Sequence, residues 1–482
     1  MLFNSYEFIL AFLPTVVVIF FLVARTSHIL AAAWLCAASL FFYGWWNPKF
    51  VALLVASIAF NYAAGYAIGR AKGAGDGIAK PLLIAAVAAN LGVLGYFKYA
   101  NFFISTVGVV TGQSSTLFDI VLPLGISFFT FTQIAFLVDV YRGVATEYNF
   151  IHYVLFVSYF PHLIAGPLLH HQQVMPQFGL ARTYTPNAGD IAVGLTMFTI
   201  GLSKKVLIAD HLAGYAVPLF AMAHNGLELR LFSAWSGALA YTFQLYFDFS
   251  GYSDMAIGLS LLFGVRLPVN FNSPYKAVNI IEFWRRWHIT LAHFLRDYLY
   301  VPLGGNRRGP RRRYVNLMIT MLLGGLWHGA SWTFVVWGGL HGIYLVINHA
   351  WHKWKMRVDM PFAAPVARVA STAITFVAVV IGWVFFRAET LDGAMIFLRG
   401  MGGLAGVSPN EFADAQLGSP LPFALFIAFC AATVFFCPNS QEIGTALARR
   451  PSLAAGLVCG MLAALCLITL RSIHSEFLYF QF

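Results

Sequence analysis

Charged residues are what this sequence has least of. Its 482 residues include 30 Lys or Arg and 19 Asp or Glu, 10% together, where a soluble chain carries roughly a quarter. That scarcity excludes an ordinary water-soluble domain. Cysteine is sparse too: Cys36, Cys430, Cys437, Cys459 and Cys466 all sit in apolar stretches and form no Cys-x-x-Cys. The pairs spaced by seven share a helix face, which points to packing rather than chemistry. No His-x-x-x-His lies within the apolar stretches, and His170 and His171 are adjacent, so they point different ways on a helix. No metal is expected, because no strong ligand spacing is present. A Gly-x-Ser-x-Gly elbow and a P-loop are both missing, which removes the nucleophile-elbow and nucleotide-phosphate readings. No histidine is followed by aspartate five positions later, so the soluble glycerolipid-acyltransferase pattern is absent. The lack of an internal repeat argues against an inverted-repeat transporter, and the lack of alternating segments of about 10 residues argues against a barrel.

What remains is overwhelmingly apolar: 59% of residues are hydrophobic and the mean hydropathy is +0.73. Stretches approaching the roughly 20 apolar residues of a spanning helix recur throughout. They fall at about 7–24, 28–46, 50–69, 80–97, 118–138, 190–210, 231–249, 315–347, 366–386, 421–437 and 453–470. The expected fold is all-α and polytopic, with about 11 transmembrane helices plus re-entrant and interfacial helices. The first stretch has no basic residue before it, so it reads as a retained span rather than a cleaved signal. Residues 151–169 are apolar but interrupted by Pro161, Gly166 and Pro167, as in a kinked or re-entrant segment whose backbone protein or a cavity must satisfy. Residues 315–347 are too long for one span, and Gly324-Gly325 and Gly338-Gly339 predict two pieces broken near "GGLWHGAS".

Basic residues concentrate in short connections at 70–80, 307–313, 352–357 and 449–450. By the positive-inside rule these face the cytoplasm, which puts both termini outside. In a membrane protein this surplus speaks to topology before nucleic acid, and no nucleic-acid partner is expected.

Three segments carry candidate chemistry. "FWRRWHITLAHFLRDYLYVPLGG", residues 283–305, is amphipathic: Trp284, Trp287, His288, Leu291, Leu295 and Tyr298 follow the helical period, with Arg285, Arg286 and Arg296 mostly opposite. Such a helix would lie in the interface with its arginines toward headgroups or an anionic ligand. His288 falls on the apolar face, either satisfied by a backbone carbonyl or part of a site. In "LMITMLLGGLWHGASWTFVVWGGLHG", His328 sits inside an apolar stretch with glycines before and after it. Intramembrane ionisable residues are functional by default, and an imidazole that is mostly neutral at pH 7 suits proton abstraction. His341, thirteen residues on, reads as structural. "QLYFDFSGYSDMAIGLS" places Gln244, Asp248 and Asp254 at or near membrane depth, most simply as helix-packing hydrogen bonds.

Together these residues resemble the membrane-bound O-acyltransferase family, in particular its bacterial polysaccharide branch. The matching stretches run nearly the whole chain: "MLFNSYEFI", "LGYFKYANFF", "LPLGISFFTFTQIAFLVDVYRG", "FPHLIAGPL", "GLSKKVLIAD", "QLYFDFSGYSDMAIGLSLLFGVRLPVNFNSPY", "EFWRRWHITLAHFLRDYLYVPLGGNRRG", "LGGLWHGASWTFVVWGGLHG" and the final "FLYFQF". After "FPHLIAGP", where an apolar-then-basic continuation is expected, this chain reads "LLHHQQ". The resemblance implies a ring of helices around a thinned centre, with a tunnel joining the two sides. It implies that His328 is the catalytic histidine, that His288 is a second active-site histidine, and that acyl groups pass to a hydroxyl. It further implies transfer of acetyl outward to an extracytoplasmic, esterase-like partner of the SGNH type. The tyrosine of the terminal F-x-Y-x-x-F motif, Tyr479, would carry the acyl group.

The expected organisation is a transmembrane domain over 1–470 and a tail over 471–482 bearing the relay motif. Candidate substrate- or donor-contacting residues are Trp287, Trp327, Arg285, Arg286, Asn306 and Arg307. The expected donor is acetyl-CoA and no cofactor stays bound. The resemblance implies as acceptor an exopolysaccharide, alginate-like as the first expectation, or a cell-wall glycan, and as location the bacterial inner membrane. The relay is chemically sound: a phenol has a pKa of about 10, below a sugar hydroxyl, so an aryl ester keeps most of a thioester's transfer potential. A neighbouring imidazole is the usual means of activating such a nucleophile. Two other readings stay open: a proton-coupled transporter or flippase for a lipid-linked sugar, and an enzyme acylating a lipid or protein directly. The tail itself could equally be an aromatic interfacial anchor.

Overall fold

The computed structural model describes residues 1–113, 116–145, 149–355, 364–408, 412, 417–450, 452–470 and 477–478. Among them there is no strand; the chain is a succession of helices. Five are long and apolar enough to cross a membrane: Glu7–Ala24, Lys49–Gly73, Ala79–Thr111, Ala188–His224 and Pro365–Arg387. A sixth span results if Pro420–Phe436 and Ser440–Arg449, bent by 57° at their junction, are taken together. The apolar helices His28–Gly44 and Leu453–Thr469 are shorter, at 17 residues each. Length and composition thus mark fewer spans than the eleven expected from the sequence. One reason is that Gly309–His328 carries Arg311, Arg312 and Arg313 in its first turns.

The large apolar side chains on these helices are not all covered. Val109, Phe436 and Leu453 are each more than 80% exposed, as lipid-facing residues should be and as core residues of a soluble protein are not.

Most helices stand where the hydrophobic runs predict, and the departures have local causes. The stretch expected at 118–138 becomes helical only at Ile126–Arg142, because Gly125 takes a left-handed φ of +71° just before it. The run expected to end near 249 continues as a 32-residue helix, Leu231–Leu262, about 48 Å long at 1.5 Å per residue. Helix Asp210–His224 follows Ala188–Ser203 through the π-helical turn Lys204–Ala209, so one apolar run hides two helices.

The chain divides into two units. The first comprises Met1–Leu202, Tyr252–Val269 and Ile443–Arg471. In it the interrupted segment behaves as anticipated: Phe150–Ser158 ends, a single turn Phe160–Leu163 follows, and everything from Leu155 to Leu169 is buried. The freed Phe160 N–H donates to the Ser39 hydroxyl at 3.1 Å, which is how protein replaces lost helical bonds. His171 Nδ1 lies 3.3 Å from Asp139 Oδ2.

The second unit comprises Ser203–Gly251, Asn270–Glu442 and Ser472–Phe482. Its helices Gly309–His328 and Trp332–Lys355 are the two expected pieces of 315–347, broken at Gly329–Ser331. Glycines let them approach: a Cβ on Gly325 would press on the Phe334 carbonyl oxygen and lie 3.1 Å from Gly338 Cα. Gly325→Ala should therefore lower the unfolding midpoint in detergent, by an overpacking cost of about 1–3 kcal/mol. Gly339→Ala, whose new methyl would sit 3.4 Å from Leu322 Cδ2, should leave it nearly unchanged.

Candidate active site

His328 is the last residue of its helix and is 3% exposed. Its ring packs against Trp327 at 4.9 Å, Trp337 at 5.1 Å and Phe386 at 5.1 Å between centroids. His288 is fully buried, and its ring centre lies 6.2 Å from that of His328 and 6.0 Å from that of Trp327. The two histidines, 40 positions apart in sequence, meet in one aromatic cluster.

The single amphipathic helix expected over 283–305 is instead split at His288 into Ile280–Trp284 and Ile289–Leu295, the latter continued by the π-helical turn Arg296–Tyr300. His288 has φ +44° and ψ +53°, a left-handed conformation that is uncommon outside glycine and collects at functional sites. Asn270 holds it there. The Asn270 carbonyl accepts the Ile289 N–H at 3.0 Å. Asn270 Oδ1 accepts the Thr290 N–H at 3.4 Å and its hydroxyl at 2.9 Å, and stands 3.1 Å from His288 Nδ1. A backbone N–H can only donate, so the atom it meets is the amide oxygen. His288 Nδ1 facing that oxygen must therefore carry the proton, which leaves Nε2 as the basic nitrogen.

Asn270 lies in the quoted "VNFNSPY" but received no role from the sequence; its pairing to His288 spans 18 residues and only the fold reveals it. Asn270→Ala should lower acyl transfer about 10²-fold, the effect of misplacing a reacting group by about 1 Å. Asn270→Asp, which keeps an acceptor at Nδ1, should restore most of it. Initial-rate measurements on folded variants check both.

The other candidates divide. Trp287 is buried against Trp383 at 4.8 Å and Phe271 at 5.0 Å, and Trp327 stands by both histidines. Arg286 is engaged by Glu282, at 2.7 Å and 3.0 Å, and by the Asn272 carbonyl at 3.2 Å. Burial opposes ionisation of Glu282, but the Val278 N–H and Arg286 prevail and hold its carboxyl below the ordinary range. Arg285, Asn306 and Arg307 are exposed, and nothing in the geometry draws them into the histidine cluster. Tyr479 lies outside the described residues. The two residues before it are buried: Phe477 is 3% and Leu478 6% exposed. The Phe477 ring lies 6.1 Å from Phe249, whose ring is 4.8 Å from His288.

His341 packs in the same aromatic cluster. It is fully buried, and neither ring nitrogen has a hydrogen-bond partner among the described residues. Its ring lies 4.9 Å from Trp337 and 5.4 Å from Trp284, whose indole N–H groups are also unsatisfied there. Gly382 makes room, since a Cβ on it would fall 2.8 Å from His341 Nε2. Among the described residues no group of three metal-ligating side chains occurs.

Two buried imidazoles, one with an assigned basic nitrogen, thus meet beside a helix break in a polytopic membrane protein. Residues 90–387 match MBOAT, the membrane-bound O-acyltransferase family, and this chain belongs to that family. It is therefore an O-acyltransferase, which decides against the transporter reading. It is 43% identical over 435 residues to the peptidoglycan O-acetyltransferase of Helicobacter pylori, covering 85% of this chain and 81% of that protein. It is 42% identical over 482 residues to the probable alginate O-acetylase AlgI of Pseudomonas aeruginosa, covering 95% and 89%. A more distant relative is the teichoic acid D-alanyltransferase of Streptococcus thermophilus, 28% identical over 244 residues, 49% of this chain and 59% of that protein.

Proposed function

We propose that this chain carries acetyl groups from cytosolic acetyl-CoA across the bacterial inner membrane for O-acetylation of an exopolysaccharide, alginate-like, or of a cell-wall glycan. Tyr479 is the carrier. Its phenolic oxygen attacks the thioester carbonyl carbon while the site imidazoles, His288 and His328, take the phenolic proton. The C–S bond breaks, and the departing thiolate is protonated to the thiol. The aryl ester then passes its acetyl to a hydroxyl of an extracytoplasmic esterase-like partner of the SGNH type, and the phenol is regenerated. The basic segments at 70–80 and 307–313 face the cytoplasm in this reading, and both termini face the opposite side.

The observation that carries the proposal is the seating of the tail: Phe477 contacts the Phe249 ring that itself packs on His288, and Tyr479 is two residues further along the chain. The names of the relatives support acetyl as the group and a glycan as the final acceptor. Access is the demand this reading places on the fold: acetyl-CoA must reach His328, now 3% exposed, through a passage open to the cytoplasm. Purified protein incubated in detergent with acetyl-labelled CoA should acquire label that maps to Tyr479. Absence of protein-bound label, with acetylation of the cellular polymer intact in a Tyr479→Phe strain, overturns it.

A further inference from the structure

A buried ion cluster next to the site contacts the carboxyl-terminal tail. Lys205 Nζ lies 2.8 Å from Asp210 Oδ1 and 2.8 Å from Asp248 Oδ1. The three residues are 3%, 7% and 1% exposed. One ammonium thus faces two carboxylates. Burying a carboxylate without donors is strongly unfavourable, so the oxygens that Lys205 does not serve need partners. For Asp248 Oδ2 the partner is the backbone N–H of Leu478, at 3.0 Å, 230 positions away in the chain. The lysine lies in the π-helical turn Lys204–Ala209, a distortion found frequently at functional sites. The next residue of the aspartate's helix, Phe249, is the one whose ring meets both Phe477 and His288.

We propose that Asp248, held by Lys205, is a positioning residue: a clamp that fixes the backbone of the carboxyl-terminal tail and thereby sets the register of Tyr479 against the histidines. The clamp serves the relay proposed above and rests on that reading for its purpose. One carboxylate oxygen answers Lys205 and the other answers the tail. Phe249 supplies the lateral contact, so two adjacent side chains fix both the height and the side of the tail. A hydrogen bond to a charged acceptor is strong enough to hold a peptide end in place and weak enough to open.

The test uses Asp248→Asn in the full chain. Asparagine keeps the shape and one acceptor oxygen for Lys205, which also retains Asp210, but it has no second acceptor for Leu478. Hydrogen–deuterium exchange of the peptide spanning residues 470–482 should become about 10- to 100-fold faster, the loss expected for one hydrogen bond to a charged acceptor. The unfolding midpoint should stay close to that of the unmodified protein. Acetyl transfer should fall in kcat with little change in KM for acetyl-CoA, because donor binding does not use the tail. Leu478→Pro removes the N–H from the other side and leaves the ion cluster whole, so it should loosen the neighbouring amides similarly, while Leu478→Ala should not.

Unchanged exchange in Asp248→Asn overturns the clamp; if that variant does not fold, unchanged exchange in Leu478→Pro does so. Faster exchange together with full activity in Tyr479→Phe leaves the clamp standing and removes the relay. Unchanged exchange with an inactive Tyr479→Phe removes only the clamp.

Discussion

His328→Gln should abolish acyl transfer while leaving a folded membrane protein. The imidazole is enclosed by Trp327, Trp337 and Phe386 and faces His288 across 6.2 Å. A phenol or a sugar hydroxyl is almost fully protonated at neutral pH, so it attacks a thioester slowly unless a base takes its proton. A positioned general base contributes about 10²–10⁴ in rate, and loss on that scale is expected in both label uptake and polymer O-acetyl content. Glutamine fills much of the space and hydrogen-bonds, but it cannot accept a proton at neutral pH. His328→Ala should show the same loss of activity together with a lower unfolding midpoint, since it opens a cavity between three aromatic rings. Comparing the two variants separates chemistry from packing. Activity within tenfold of the parent in His328→Gln would remove the base role from this residue and leave it to His288, whose Nε2 is the nitrogen left basic by Asn270.

The parts of this arrangement that were readable in the sequence are those set by local pattern. The break after His328 follows from glycine spacing within 33 residues of otherwise continuous apolar sequence. His288 keeps the apolar company of Trp287 and Leu291 that its sequence phase suggests, although the helix behind that phase breaks at His288 itself. What local pattern could not supply is the left-handed turn at His288, because the residue enforcing it, Asn270, stands 18 positions earlier in irregular backbone. The same limit hides the contacts of Asp248. Its helix is legible, but its partners Lys205 and Leu478 lie 43 and 230 positions away, and an aspartate on a helix carries no mark of either. Arg286 is the opposite case. Its partner Glu282 stands four residues earlier, the spacing of an ordinary helical ion pair, and that local pairing competes with any anionic ligand. Nothing in sequence tells a satisfied imidazole from an unsatisfied one, so the ring of His341, unpartnered among the described residues, is visible only in the fold.

Tyr479→Phe should remove protein-bound acetyl altogether and bring polymer O-acetylation to background. The substitution deletes one oxygen and keeps the ring, so it leaves apolar burial of the tail and the Leu478 N–H bond to Asp248 in place. The expected signature is therefore an inactive protein with unchanged unfolding midpoint and unchanged exchange at its carboxyl end. Tyr479→Ser supplies a hydroxyl again but should not restore transfer. An alkyl ester on serine lies close in energy to the sugar ester it would have to form, whereas the aryl ester stands above both because phenoxide, with a parent pKa of about 10, is the better leaving group. A direct acyl transfer from acetyl-CoA to a lipid or protein makes the opposite prediction: deleting residues 477–482 costs nothing but an anchor. The outcome that discriminates is the fate of label in the truncated protein. If acetyl still reaches an acceptor at the parental rate, the tail is an anchor and the histidines act on the acceptor itself. If label is lost with the fold intact, the route to the far side of the membrane runs through this phenol.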